Sequence, residues 1–96
     1  MPNKIHDDFE ELPATIESAR KAAKEKPGRY GGRYVARRYN RKERKTEWFV
    51  LDDDDPDVYR DDESLDVIAQ VTPTAVNAIG RARHWLREDG TFKFND

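Results

Sequence analysis

The sequence predicts an α+β fold: one small domain whose three- to four-stranded antiparallel sheet packs against two helices, in the order α-β-β-β-α-β. Three observations carry this. Apolar residues recur at helical spacing after Pro13 and again after Pro73, and between them the period drops to two. Ninety-six residues are enough for one modest core and too few for two. Ten aromatics (two Trp, four Tyr, four Phe) argue against a solvated chain, although hydrophobic residues are only 35% and charged residues 40% of the total.

Residues 1–11 form an acidic lead-in in which His6, Asp7, Asp8, Glu10 and Glu11 surround Phe9. The first helix is expected to start near Leu12 or Pro13, because proline at the first helical position gives up an N–H that has no helical partner there. It runs to Lys26 with Ile16, Ala19 and Ala23 on one face, and Phe9 and Leu12 continue that spacing upstream. Glu17 lies early and Arg20, Lys21, Lys24 and Lys26 lie late, which suits the helix dipole. Pro27 and Gly28 end it.

From Gly32 the alternation sets Tyr34 and Ala36 on one side and Val35, Arg37 and Tyr39 on the other. The polar run Asn40–Lys45 then leads into Glu47, Trp48, Phe49, Val50 and Leu51, so this region reads as a long β-hairpin with a basic tip. Residues 52–64 contain Pro56 and too many like charges for a regular element; they are expected to be an acidic loop tethered by Val58 and Tyr59. Leu65, Val67, Ala69 and Val71 alternate as a third strand, with a short helix as the competing reading. Thr72 followed by Pro73 reads as a helix start, so a second helix is expected from Pro73 to about Asp89. Ala75, Val76, Ile79, Ala82, Trp85 and Leu86 would fill its buried side, with Gly90 as its cap. Phe92 and Phe94 then suggest a last short strand.

The charge is sorted into blocks. Residues 1–19 sum to −4, residues 20–50 to +9, residues 51–66 to −8 and residues 67–96 to +1, which combine to the chain's −2. Two fields of opposite sign on one small molecule steer partners. No cysteine is present, which excludes disulfides, thiol catalysis and cysteine zinc sites. No apolar run is long enough to cross a bilayer, so the expected location is the cytoplasm, of the protein's own cell or of an infected host. P-loop and Rossmann glycine patterns, HExxH and GxSxG are all absent, and no enzymatic activity is expected. No cofactor or metal is expected either: the acids of 52–66 lack the alternation, central glycine and final glutamate of an EF-hand loop.

Two surfaces remain. Asp52, Asp53, Asp54, Asp55, Asp57, Asp61, Asp62 and Glu63 would face Lys and Arg of a basic protein that handles nucleic acid, so that the chain acts as a nucleic-acid mimic and inhibitor. Phage and mobile-element inhibitors of host defence, anti-CRISPR proteins among them, share this profile of small size and segregated charge. The alternative is direct DNA or RNA binding by Arg37, Arg38, Arg41, Lys42, Arg44 and Lys45 of the hairpin, with Arg81 and Arg87 of the second helix. Tyr30, Tyr34, Tyr39 and Trp48 lie within or beside that segment, and cations with aromatic faces are what a nucleic-acid groove needs. Against both stand bland readings: a solvated strand face, and an acidic loop that folds back to neutralise the basic hairpin. A third possibility is an apolar contact through Trp48, Trp85 or Phe92. His84 reads as a surface histidine without acid or nucleophile partners.

Overall fold

A computed structural model describes residues 11–60 and 65–85. The elements are α1 (Leu12–Glu25), β1 (Arg33–Asn40), β2 (Lys45–Asp52), a one-turn helix α2 (Pro56–Tyr59), β3 (Asp66–Val71), β4 (Val76–Ala78) and a 3-10 segment (Gly80–Trp85). One four-stranded sheet has the order β2-β1-β3-β4, and all its pairings are antiparallel. The α+β class holds, with element order α-β-β-α-β-β before the closing 3-10 segment.

Helix α1 begins as the proline dictates, and the first-turn Thr15 donates from both N–H and hydroxyl to the Glu11 carbonyl, at 2.9 and 2.7 Å. Arg20 pairs with Glu17 one turn earlier on the exposed side. At the far end Lys26, held before Pro27, leaves the helix for extended backbone while its N–H still donates to the Ala22 carbonyl at 2.9 Å. Leu12, Ala19 and Ala23 are fully buried on the face that the spacing selects, and Ile16 is half-buried beside them.

That face lies on the side of the sheet carrying Val35. The core cluster is Leu12, Ala19, Val35, Ile68, Ala69, Val71, Ala78 and Ala82, with Ile16, Trp48 and Val76 packed against it. Half of these eight are alanine, so helix and sheet approach closely and the few large side chains carry most of the burial. Ile68 and Ala69 are neighbours in sequence yet both sit in this core. The β1–β3 register explains it: Val35 pairs with Ala69 but Ala36 pairs with Val67, so Ile68 is an extra residue in a β-bulge that turns both side chains the same way.

The second long helix does not form. Thr72 and Pro73 open a two-residue hairpin turn instead: the Thr72 N–H donates to the Ala75 carbonyl at 2.9 Å, and the Ala75 N–H donates to the Thr72 hydroxyl at 3.0 Å. Val76, Asn77 and Ala78 then pair with Val71, Gln70 and Ala69. Gly80 takes φ +59°, a left-handed conformation that no right-handed helix can run through. Residues 86–96, which hold the rest of the expected helix and the Phe92–Phe94 strand, lie outside the described residues, as does the lead-in 1–10.

Candidate nucleic-acid interface and the acidic turn

The hairpin is the longest feature of the sheet, with eight paired positions from Arg33↔Asp52 to Asn40↔Lys45. Its tip, Arg41–Arg44, is a tight turn. The Glu43 N–H donates to Asn40 Oδ1 at 3.0 Å, and Arg44 adopts φ +53° to bring the chain back. Asn40 Nδ2 donates in turn to Glu47 Oε2 at 3.3 Å, so one side chain ties the turn to the start of β2.

The six hairpin cations do not share one environment. Arg37 points to the α1 side, with only 12% of its side chain exposed, and its Nε pairs with Asp66 Oδ2 at 3.1 Å. It is a structural arginine and leaves the candidate interface. Arg38 pairs with Glu47 at 3.4 Å and lies over the Phe49 ring, 5.1 Å from its centroid. Arg41, Lys42, Arg44 and Lys45 are exposed and make no ion pair with any described residue. In the 3-10 segment Arg83 and His84 are exposed; the expected helix from Pro73 carrying Arg81 and Arg87 is replaced by β4 and this segment, and Arg87 lies outside the described residues.

The acids after β2 are spent differently from the expectation. Asp53 is fully buried and cannot face a partner. Its Oδ2 accepts from the N–H of Tyr30 at 2.7 Å and of Gly32 at 3.0 Å, so it clamps the loop between α1 and β1. Beside it the Arg33 guanidinium, itself 7% exposed, donates to the Gly32 and Lys26 carbonyls at 2.9 and 2.6 Å and pairs with Asp52 at 3.1 Å. Gly28 is required by this packing: a β-carbon there would stand 2.5 Å from Asp53 Oδ1 and 2.7 Å from Arg33 Nη1.

The expected loop is a turn followed by α2. Asp55 caps that helix, accepting from the Asp57 N–H at 2.9 Å, and Asp57 pairs with Arg60 at 3.5 Å. The Tyr59 hydroxyl donates to the Asp53 carbonyl at 2.8 Å, and the Tyr59 ring meets Tyr34 edge-on at 6.3 Å. Burial, followed by hydrogen bonding to Tyr59, raises the Tyr34 hydroxyl above its ordinary value of 10.0. Asp54 and Asp57 remain exposed, while Asp61, Asp62 and Glu63 lie outside the described residues.

Sequence reasoning missed the Asp53 clamp and the buried Arg33 beside it. Nothing in a run of four aspartates marks the second as internal; the one available sign was the glycine-rich stretch 28–32, a tight loop whose Tyr30 and Gly32 N–H groups need an acceptor. The acidic block does neutralise part of β1, Asp52 pairing with Arg33 and Asp66 with Arg37, but among the described residues no acid of the turn reaches the basic tip. The two sit at opposite ends of the hairpin, seven steps of about 3.3 Å apart, or roughly 23 Å.

Among the described residues no group of three or more histidines or acids forms a metal site, and no helix is long and apolar enough to cross a membrane. Comparison with protein-family models, with curated proteins and with solved structures finds nothing that matches this chain.

Proposed function

We propose that the chain is a non-enzymatic binding protein that holds nucleic acid through the basic tip of the β1–β2 hairpin. One observation carries this: Arg41, Lys42, Arg44 and Lys45 are exposed together at the end of a braced turn, with no acid of the described structure paired to them. The acidic turn, roughly 23 Å away along the strands, is more than two Debye lengths distant at physiological salt, where that length is about 8 Å. Its repulsion of phosphate is screened at the tip. The test is anisotropy of labelled DNA and RNA over a salt series. Four neutralised phosphates predict a slope of log affinity against log salt near about −3.6 on duplex DNA, or roughly a hundredfold loss between 50 and 200 mM. Charge reversal at Arg41, Lys42 and Arg44 removes the binding; absence of retention on either polymer at low salt overturns the reading.

A second reading rests on the other pole. Asp54 and Asp57 stand exposed on a turn that Asp53 anchors from inside, so their separation is fixed before any partner arrives. Such a surface suits the basic face of a nucleic-acid-handling protein, with the chain as an inhibitor of the phage or mobile-element anti-defence type. Capture of one basic protein that survives nuclease, and is lost when Asp54, Asp57, Asp61 and Asp62 become Asn, supports it. Capture unchanged by those substitutions rules it out.

A further inference from the structure

Resting on the nucleic-acid reading above, we infer that the tip binds the phosphate backbone of a double helix and leaves the bases unread. The short reach of the hairpin carries the inference. Its last cross-strand pair is Asn40↔Lys45, and one pair further back Thr46 is 6% exposed while Tyr39 is half-buried. What stands clear is the turn, residues 41–44, together with the Lys45 side chain. Two residues per arm at about 3.3 Å each extend at most about 7 Å, short of the roughly 8.5 Å depth of a B-DNA major groove. The backbone of the turn therefore stays at the rim, where Arg41, Lys42, Arg44 and Lys45 have phosphates on either side. Asn40 is the side-chain amide nearest the turn, and amides read base edges with two hydrogen bonds. Its Oδ1 is held on the Glu43 N–H and its Nδ2 on Glu47, so it serves the turn and not a base.

The same turn selects a double helix over a single strand. Single strands are held by stacking their bases on exposed rings. Among the described residues no such ring stands at this end: Phe49 lies under Arg38, Tyr39 is half-buried, and the two exposed tyrosines lie elsewhere, Tyr59 in the acidic turn and Tyr30 in the loop that Asp53 clamps. Without stacking only charge remains, and a duplex carries about one charge per 1.7 Å of axis, roughly twice the density of one of its strands. A duplex is also stiff, and the Asn40 bonds hold the turn in shape beforehand, so little is left to order when the two meet. Glu43 supplies the discriminating group. Its exposed side chain lies between Lys42 and Arg44 in sequence, and a carboxylate accepts hydrogen bonds without donating them. Against phosphate it only repels, whatever the base sequence beneath; reading a base, it would accept from the amino group of cytosine and favour that base.

The full chain is titrated at about 50 mM salt into labelled DNA duplexes of two unrelated sequences, an RNA duplex and a single-stranded DNA, all of one length. The expected result is affinity equal within about twofold on the two DNA sequences and at least about fivefold weaker on the single strand, with log affinity falling against log salt at about −3.6 on duplex and about −2.8 on single strand. Glu43→Gln, with an unchanged circular dichroism spectrum, binds every duplex several-fold tighter and by the same factor. The tighter of the DNA and RNA duplexes names the source of the phosphates, and either supports the inference. A preference of about tenfold or more for one DNA sequence, or a Glu43→Gln effect that depends on sequence, shows base readout and overturns the inference. A single strand bound as tightly as the duplexes overturns it too. Those outcomes leave the nucleic-acid reading in place, whereas retention on none of the polymers overturns both.

Discussion

At the scale of single residues the least replaceable group is Asp53, a carboxylate that serves the fold. Its Oδ2 satisfies two backbone N–H groups of the Tyr30–Gly32 loop, and an unsatisfied buried donor costs about 1–3 kcal/mol. Asp53→Ala should therefore lower unfolding free energy by about 2–4 kcal/mol in urea titration, while Asp54→Ala, at an exposed neighbour, should change it by less than about 0.5 kcal/mol. Equal effects would refute the clamp. Gly28→Ala should act in the same direction as Asp53→Ala, because the added carbon meets a carboxylate that two hydrogen bonds prevent from moving. Tyr34 gives a pH signature. Its folded-state pKa is raised above 10.0, so its contribution is fully present below that pH and is lost as pH rises through the folded value. Thermal melts above pH 10.0 should fall more steeply for the wild type than for Tyr34→Phe; parallel curves would show that this hydroxyl is not the titrating group.

At the scale of elements, legibility followed how many independent signals agreed. Helix α1 was readable because Pro13, the Leu12–Ile16–Ala19–Ala23 spacing and Pro27 all specify the same segment, and its observed bounds, Leu12–Glu25, lie within a residue of that reading. The hairpin was equally readable from its alternation and polar tip. The stretch after β3 was not, since a hydroxyl followed by proline opens a helix or a turn with the same local chemistry. Partner strand β3 decided the outcome, and a pairing across sequence leaves no trace in a window of ten residues. The hairpin tip offers a separate test because Arg44 bears backbone strain at φ +53° that glycine would not. Arg44→Gly should stabilise the protein by about 0.5–1 kcal/mol, the left-handed penalty less the flexibility cost of glycine. It should also weaken nucleic-acid binding by removing one of four tip cations. Melting temperature and affinity thus move in opposite directions; a loss of both would mean that the Arg44 side chain holds the turn.

At the scale of the whole molecule the sequence disclosed that the charge is segregated but not where the two blocks go. The hairpin decides part of that by carrying Arg41, Lys42, Arg44 and Lys45 of the +9 block to its tip and leaving the start of the −8 block at its base, where Asp52 and Asp53 brace the chain beside Arg33. A net charge of −2 therefore says little about what either end attracts. Separation by roughly 23 Å makes the coupling of the poles depend on salt in a calculable way, because the Debye length is about 8 Å at physiological ionic strength and about 30 Å at 0.01 M. Asp54→Asn with Asp57→Asn removes two exposed negative charges and disturbs only the exposed Asp57–Arg60 pair, a kind of contact worth at most about 1 kcal/mol. At physiological salt this variant should bind duplex DNA within about twofold of the wild type, since the tip does not sense charges more than two screening lengths away. At 0.01 M the same variant should bind several-fold tighter, the unscreened repulsion having been relieved. A gain of equal size at both salts would mean that the acidic turn lies against the polymer itself, and the one-ended mode of binding would have to be abandoned.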